Sequence, residues 1–216
     1  MSGGSVGRIL RVCTALAAIH SLLASKPAKD LARRLAGHRY RNGLYRLFFN
    51  AQSVLCLAWA AQWFLRLPDR EIYRVRAPWS WLFRAGQAAS LGVLLSAVRV
   101  IGVLNFAGVS QLRSFLAGLD PDPEPEAQGP PLGVDDQIVT ARVFRFTRHP
   151  SNLGALGVFL LFPRITVNRL TLVVLVALYV VLGSLHEERR LRAAYGEPFE
   201  RYRREVPFLL PRLRRG

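Results

Sequence analysis

Three adjacent residues, Arg148, His149 and Pro150, combine two cations with a helix-starting residue. Pro150 suits the first position of a helix and holds His149 in an extended conformation just before it. A helix that begins here presents unpaired N–H groups and a partial positive charge beside both cations. The motif therefore predicts a site for an anionic group such as a carboxylate or a phosphate.

A second polar motif, His186-Glu187-Glu188, follows a long apolar stretch. Two adjacent carboxylates at a membrane edge are costly to desolvate unless a cation neutralises them, so they favour contact with a ligand. The alternative is an interfacial network of glutamates and arginines, since Glu188 could pair with Arg192 one helical turn later.

Five apolar segments are long enough, or nearly so, to cross about 30 Å of hydrocarbon as helices. They lie near residues 8–25, 43–65, 79–104, 151–163 and 166–186. Pro163 and Asn168 bracket a tight turn, so the last two segments form a hairpin and return both polar motifs to one membrane face. We therefore predict an all-α membrane bundle of about five transmembrane helices.

The orientation of the bundle follows from its basic connections. His20 within the apolar run and the absence of a clear Ala-x-Ala cleavage site favour a retained first span over a signal peptide. The positive-inside rule places the connection after this span in the cytoplasm, and counting crossings places both polar motifs there too. The predicted location is a bacterial inner membrane with the site facing the cytosol. The basic residues of that connection are Lys26, Lys29, Arg33, Arg34, Arg39 and Arg41, against one acid, Asp30.

The chain divides into three parts. Residues 1–104 hold the first three spans, residues 105–147 form a cytosolic loop, and residues 148–216 hold the hairpin and the tail. The stretch 120–131 is acidic and rich in proline, which is typical of a mobile linker, or of a lid over the site. In the tail, Phe199, Tyr202 and Val206 form the apolar stripe of an amphipathic helix, which either lies on the membrane or folds back over the site.

Composition excludes several other classes. The net charge of +16 in 216 residues does not indicate nucleic-acid binding, because the arginines lie between apolar spans. Cys13 and Cys56 lie within apolar segments and lack the spacing of a disulfide framework. The four histidines lack the spacing of a metal site. The expected partners are the lipid bilayer and a lipophilic small molecule.

From residue 142 to residue 211 the chain resembles the integral membrane methyltransferases, which include isoprenylcysteine carboxyl methyltransferase, phospholipid methyltransferases and methanethiol S-methyltransferase. The shared pattern is Arg-His-Pro with a following Gly, an apolar hairpin, a Glu-Glu pair, an aromatic-rich tail and Val-Pro. Its positions here are Arg148, His149, Pro150, Gly154, Glu187, Glu188, Leu191, Tyr195, Gly196, Phe199, Tyr202, Val206 and Pro207.

The resemblance implies that S-adenosylmethionine binds under the C-terminal helix. The chemistry agrees, because the helix end at His149 would suit its carboxylate, and Glu187 or Glu188 its ammonium or ribose diol. The implied cofactor-binding residues are His149, Pro150, Leu153, Gly154, His186, Glu187, Glu188, Tyr195 and Tyr202.

The methyl acceptor is expected to be a lipophilic thiol, carboxylate or amine. Polar residues within spans are acceptor-site candidates because buried polar groups in lipid usually face a cavity; hydrogen bonding between helices is the alternative for each. Arg148, His149 and His186 are the candidates for a catalytic role, without an assigned general base. The acceptor-site candidates are Asn50, Gln52, Arg84, Gln87, Arg99 and Asn152, the last at a position where many family members have Tyr.

Two other functions compete with methyl transfer. Sterol-type membrane reductases, which bind NADPH, have a similar end-of-chain pattern, but Ala155 stands where they have Glu. A non-enzymatic membrane protein that assists the assembly of a complex is the second alternative.

Overall fold

The computed structural model describes residues 3–123, 129–133 and 137–211, and it is 74% helical. This confirms the predicted all-α fold. The described elements are α1 (Gly3–Ala24), α2 (Lys26–Ala36), α3 (His38–Leu65), β1 (Glu71–Arg74), α4 (Trp79–Ile101), α5 (Val103–Ala107), α6 (Val109–Leu116), a 3-10 helix (Arg142–Arg145), α7 (Pro150–Leu160), β2 (Arg164–Thr166), α8 (Val167–Tyr195) and α9 (Glu197–Glu205).

Three of the described helices are candidate membrane spans. Among the described residues, three are long and apolar enough to cross a bilayer: α1 from Gly4, α4 and α8, whereas α7 is apolar but shorter. The helix α3 occupies the second predicted span, but Arg46, Asn50 and Gln52 lower its hydropathy. A helix lies at each of the five predicted spans, and crossing of the bilayer by α3 and α7 stays a prediction.

The structure contains helix outside the predicted spans at two places. The basic segment after α1 was expected to be a connection, yet it forms α2, because the Ser25 hydroxyl caps the Ala28 N–H and Pro27 suits a first helical turn. The helix α8 continues beyond residue 186 and ends at Gly196, whose φ of +59° favours glycine. The Glu pair therefore lies within α8 rather than after it.

The first of two compact units contains residues 1–70 and 103–124, with α1, α2, α3, α5 and α6. Gly43 permits α3 to approach α6, since a Cβ at this position would come within 2.7 Å of the Phe115 Cβ. Arg46 of α3 is 5% exposed and donates from Nε to the carbonyl oxygen of Phe106 at 3.0 Å. A backbone carbonyl thus provides a hydrogen-bond acceptor for a buried cation in this unit.

The second unit contains residues 71–102 and 125–216, and its closest helix contact joins α4 and α7. Gly154 is pressed against the backbone of α4, because a Cβ there would lie 2.6 Å from the Ser90 carbonyl oxygen and 2.8 Å from the Leu94 nitrogen. Glycine at this position therefore brings α7 against α4.

The turn between α7 and α8 contains β2, which pairs antiparallel with β1. Oε2 of Glu71 accepts hydrogen bonds from Arg74 at 2.7 Å and from Arg164 at 2.6 Å, which joins the two strands. The Thr166 hydroxyl accepts from the Arg169 N–H and starts α8. The hairpin thus returns α8 along α7, where Leu156 packs against Val180.

The tail folds back onto the chain. The predicted apolar stripe of α9 is buried, with Phe199 at 0% and Tyr202 at 3% exposure, and it packs with Ile138, Leu191 and Val206. The linker or lid predicted over residues 120–131 includes residues 124–128, which lie outside the described residues. The structure therefore favours the folded-back alternative for α9 over a helix lying on the membrane.

Substitution of Gly154 by Ala should destabilise the protein. The added Cβ meets backbone atoms of α4 rather than a flexible side chain, so the helices must separate, at a cost of about 1–3 kcal/mol. Thermal unfolding of detergent-purified protein measures the change. Gly92→Ala is the matched control, because a Cβ at Gly92 would have no neighbour within 4 Å; equal stability of the two variants would contradict the close approach of the helices.

Candidate active site

The two polar motifs meet around His149. This residue precedes α7, which begins at Pro150 as predicted, and it is 3% exposed. Its Nδ1 lies 3.2 Å from Oε2 of Glu187, and its Nε2 lies 3.3 Å from Oε1 of Glu188. Because both ring nitrogens face carboxylate oxygens, the geometry fits an imidazolium that donates from both nitrogens.

The protonation of His149 follows from these contacts. Burial by itself lowers the pKa of His149, but the hydrogen bonds and charges of Glu187 and Glu188 outweigh burial, and the pKa is raised above its ordinary value. A charged His149 has no free lone pair on its ring. In this arrangement it therefore acts as a hydrogen-bond donor and not as a general base.

Arg148 joins the carboxylates to the end of the tail. Its Nε donates to Oε1 of Glu188 at 2.6 Å, and its Nη1 donates to the carbonyl oxygens of Arg203 and Val206. The Arg148 backbone N–H donates to the carbonyl oxygen of Pro207 at 3.0 Å. One arginine thus binds both a side chain of α8 and the backbone that follows α9.

Thr147 and Phe208 complete the surroundings of His149. The Thr147 hydroxyl accepts from the His149 N–H and donates to the carbonyl oxygen of Phe208, both at 3.3 Å. The Phe208 ring meets the His149 ring edge to face, with 5.2 Å between their centroids. Sequence analysis missed both residues; the neighbouring Val-Pro of the family pattern was the available signal for Phe208, and Thr147 had none.

The four charges of this site balance, so the chain itself supplies the anions that face Arg148 and His149. The suggested pairing of Glu188 with Arg192 is not observed: Arg192 donates to Glu200 instead. Glu188 therefore pairs with the cations of the first motif, Arg148 and His149, and not with an arginine of its own helix. The side chain of Glu187 is 24% exposed, and its contact with His149 is made through Oε2.

Apolar side chains lie beside the charged cluster, which consists of Arg148, His149, Glu187 and Glu188. Tyr202 is buried next to Leu191, its hydroxyl donates to the carbonyl oxygen of Phe144 at 2.7 Å, and burial raises its pKa. Tyr195, one turn beyond Leu191, is half-buried against the same group of side chains. The Tyr202 hydroxyl is thus engaged with the backbone, whereas Tyr195 is partly accessible.

The remaining predicted cofactor residues do not all reach the cluster. His186 is exposed, because Ser184 and Glu188 define the buried face of α8 and residue 186 lies on the opposite side. Gly154 faces α4, and Leu153 packs with the apolar side chains between α7 and α8. Pro150 is fully buried at the start of α7.

The acceptor-site candidates mostly bond to neighbouring parts of the chain. Asn152 donates to the Ser184 hydroxyl at 2.7 Å, and Gln87 donates to the carbonyl oxygen of Val158 at 2.9 Å, so both connect helices. In the first unit, Asn50 donates to the carbonyl oxygen of Phe106 and Gln52 to the sulfur of Cys56.

The two arginines of α4 differ from the other candidates. Arg84 and Arg99 are exposed near opposite ends of the helix. A long cationic side chain in that position can reach the water at either membrane surface. Their position therefore gives no sign of a cavity in the bilayer.

Metal chemistry finds no support in the side chains that the structure describes. Within residues 3–123, 129–133 and 137–211, no three or more His, Cys, Asp or Glu side chains are grouped so that they could hold an ion.

Comparison with known proteins agrees with the resemblance of the motifs. The methanethiol S-methyltransferase of Pseudomonas deceptionensis is 28% identical over 210 residues, which cover 94% of this chain and 71% of that protein. Methanethiol S-methyltransferase 1 of Bradyrhizobium diazoefficiens is 23% identical over 89% of this chain and 62% of its own length. The chain is therefore similar over most of its length to proteins named methanethiol S-methyltransferase.

Other similarities are more local. The methanethiol S-methyltransferase of Crocosphaera subtropica is 36% identical over 72 residues, which are 33% of this chain and 28% of that protein. No family model and no solved structure matches the chain. The similarity therefore rests on matches of low identity that cover most of this chain and about two thirds of each relative, together with the shared motifs.

The charged form of His149 should stabilise the protein in a pH-dependent manner. Since its folded pKa is raised above the ordinary 6.5, the contribution is complete below that pH and is lost as the pH rises through the folded value. Melting temperatures measured from pH 6 upward should show wild type losing its advantage over His149→Gln. His186→Gln, at an exposed histidine, is the control and should retain the wild-type profile; a constant difference between wild type and His149→Gln would refute a charged His149.

Proposed function

We propose that this protein transfers a methyl group from S-adenosylmethionine to a small, membrane-partitioning thiol. The convergence of Arg148, His149, Glu187 and Glu188 at one end of the α7–α8 hairpin carries the proposal. Relatives named methanethiol S-methyltransferase, which match most of this chain, support methyl transfer and a thiol acceptor.

The side chains at this site fit S-adenosylmethionine. The Glu187 side chain is partly exposed and contacts His149 through Oε2 alone of its two oxygens. Glu187 is therefore the carboxylate best placed for a ribose hydroxyl or an ammonium group. The N-terminus of α7 beside His149 would favour the cofactor's carboxylate. Tyr195 offers a partly accessible aromatic face. The other predicted cofactor residues would support these groups without contacting the cofactor's polar atoms: Pro150, Leu153, Gly154, Glu188 and Tyr202.

When bound, S-adenosylmethionine supplies an electrophilic methyl group on a sulfonium. Arg148 holds Glu188, and Glu188 in turn holds one side of the His149 ring. The other side of the ring contacts Glu187, so the orientation of the Glu187 carboxylate is set before any ligand arrives. Arg148 holds the backbone after α9 over the site and helps to exclude water. We therefore assign Arg148 and His149 as positioning residues.

The apolar surroundings suit the reaction. A sulfonium and a thiolate have opposite charges that disappear when the methyl group moves between them. A site with little water opposes separated charges, so it favours such a step over the same step in solution. Location at the edge of the bilayer also brings an apolar thiol to the site by partitioning.

The proposed orientation places this site on the cytosolic side of a bacterial inner membrane. The basic connection that contains α2 supports this assignment through the positive-inside rule. The proposed division of the chain into residues 1–104, 105–147 and 148–216 gives the last part the cofactor and leaves the acceptor to residues still to be identified.

Binding of radiolabelled S-adenosylmethionine tests the cofactor assignment. Detergent-purified protein should bind it and should not bind NADPH. Glu187→Ala should weaken binding by about 10-fold to 100-fold, as expected for the loss of a charged hydrogen bond, and should retain the fold because Glu187 is partly exposed. Glu197→Ala, at an exposed glutamate of α9, is the control and should bind normally. Saturable NADPH binding would favour the reductase alternative.

Transfer of the labelled methyl group to candidate acceptors tests the substrate class. Purified protein should methylate small apolar thiols and should leave amines and carboxylates of similar size unmodified. A thiol ionises more readily than an ammonium group, and the thiolate is a much stronger nucleophile toward a sulfonium methyl group than a carboxylate is. Chromatography of the labelled products identifies the class. Exclusive labelling of an amine or a carboxylate would refute the thiol assignment while leaving methyl transfer intact.

A further inference from the structure

The helix α2 in the first unit has no assigned role in methyl transfer. It begins at Lys26, two residues after the end of α1, which is apolar and long enough to cross a bilayer. The Ser25 hydroxyl caps its first turn, and none of its residues is buried. A helix that follows a membrane span so closely lies within a few ångströms of the membrane surface, since each residue advances the chain by about 1.5 Å.

The two faces of α2 have opposite character. At 100° per residue, Leu31 and Leu35 fall on one side together with Ala28, and the charged residues occupy the opposite side. These charged residues are Lys26, Lys29, Arg33 and Arg34, with the single acid Asp30, which pairs with Arg33 at 3.2 Å. Such a pattern of cations opposite leucines is typical of helices that lie in a membrane interface.

In the part of the chain that the structure describes, the two leucines of the apolar face are exposed. Leu31 is 55% exposed and Leu35 is 79% exposed. Removal of a leucine side chain from water is favourable by about 1.5–3 kcal/mol when the side chain is fully buried. The acyl boundary of a bilayer offers this burial within reach of α2, and the flanking cations can meet lipid phosphates at the same depth.

We propose that α2 binds the surface of an anionic membrane leaflet, with Leu31 and Leu35 in the acyl boundary and Lys26, Arg33 and Arg34 against lipid phosphates. The excess of four cations over one acid makes the partner anionic lipid rather than zwitterionic lipid. This inference is independent of the proposed methyl transfer. It assigns α2 to holding the first unit at the membrane surface.

Fluorescence of a label on α2 tests the proposal in the full-length protein. Leu35→Cys, in a chain with Cys13→Ser and Cys56→Ser, carries the environment-sensitive label NBD, and the protein is placed in lipid nanodiscs that are open on both sides. In phosphatidylglycerol discs the label should be shielded from dithionite, and in phosphatidylcholine discs it should react quickly. Salt at 1 M should weaken the shielding, because the screening length falls to about 3 Å.

Charge variants separate a lipid surface from other partners. Each basic residue near an anionic surface contributes about fivefold to docking, so Arg33→Gln with Arg34→Gln should lower the ratio of docked to undocked helix roughly 30-fold. Asp30→Asn should raise this ratio. Shielding that is equal in both lipids and insensitive to these substitutions would show that protein covers α2 and would overturn the proposal, as would rapid reaction with dithionite in both lipids.

Methyl transfer provides an independent control. In detergent micelles without anionic lipid, the variant Arg33→Gln with Arg34→Gln should retain wild-type activity, because neither residue belongs to the charged cluster of the second unit. Loss of shielding with retained activity supports docking. Normal shielding in a protein that transfers no methyl group would disprove the proposed function and leave this inference standing.

Discussion

The ion pairs of Glu188 with Arg148 and His149 are the interaction on which the candidate site depends. A buried charge costs several kcal/mol unless an opposite charge and hydrogen bonds accompany it. Here each charge has such a partner. The cations precede α7 and the acid lies in α8, so the ion pairs join the two arms of the apolar hairpin at one end. Loss of one member would leave another charge buried without its counterpart. Arg148 extends the same constraint to the backbone after α9, so the tail and the hairpin ends are held together.

Close helix packing gives this charged cluster a stable base. Gly154 allows α7 to touch the backbone of α4, and Asn152 and Gln87 supply hydrogen bonds between helices. In a bilayer such contacts matter because lipid removes the hydrophobic force that drives helices together in water. The polar residues of these spans therefore have a structural use that does not require a cavity.

Sequence analysis came closest where local chemistry decides the outcome. The positions of the long helices followed from apolar length, and the start of α7 at Pro150 followed from the geometry of proline. The stripe of α9 was correct because helical spacing alone determines which side chains share a face. The basic segment after α1 was predicted less accurately, since its charge indicated a cytoplasmic connection, whereas Ser25 and Pro27 start a helix there.

The sequence by itself determined the apolar helices, the polar motifs and the resemblance to the membrane methyltransferases, because hydropathy, helix capping and residue spacing are properties of short segments. The tertiary structure decided which groups are partners: Glu188 with Arg148, and Thr147 and Phe208 around His149. Spacing could not settle these choices, because the energy of an ion pair or a ring contact depends on the distance between atoms that lie many residues apart along the chain.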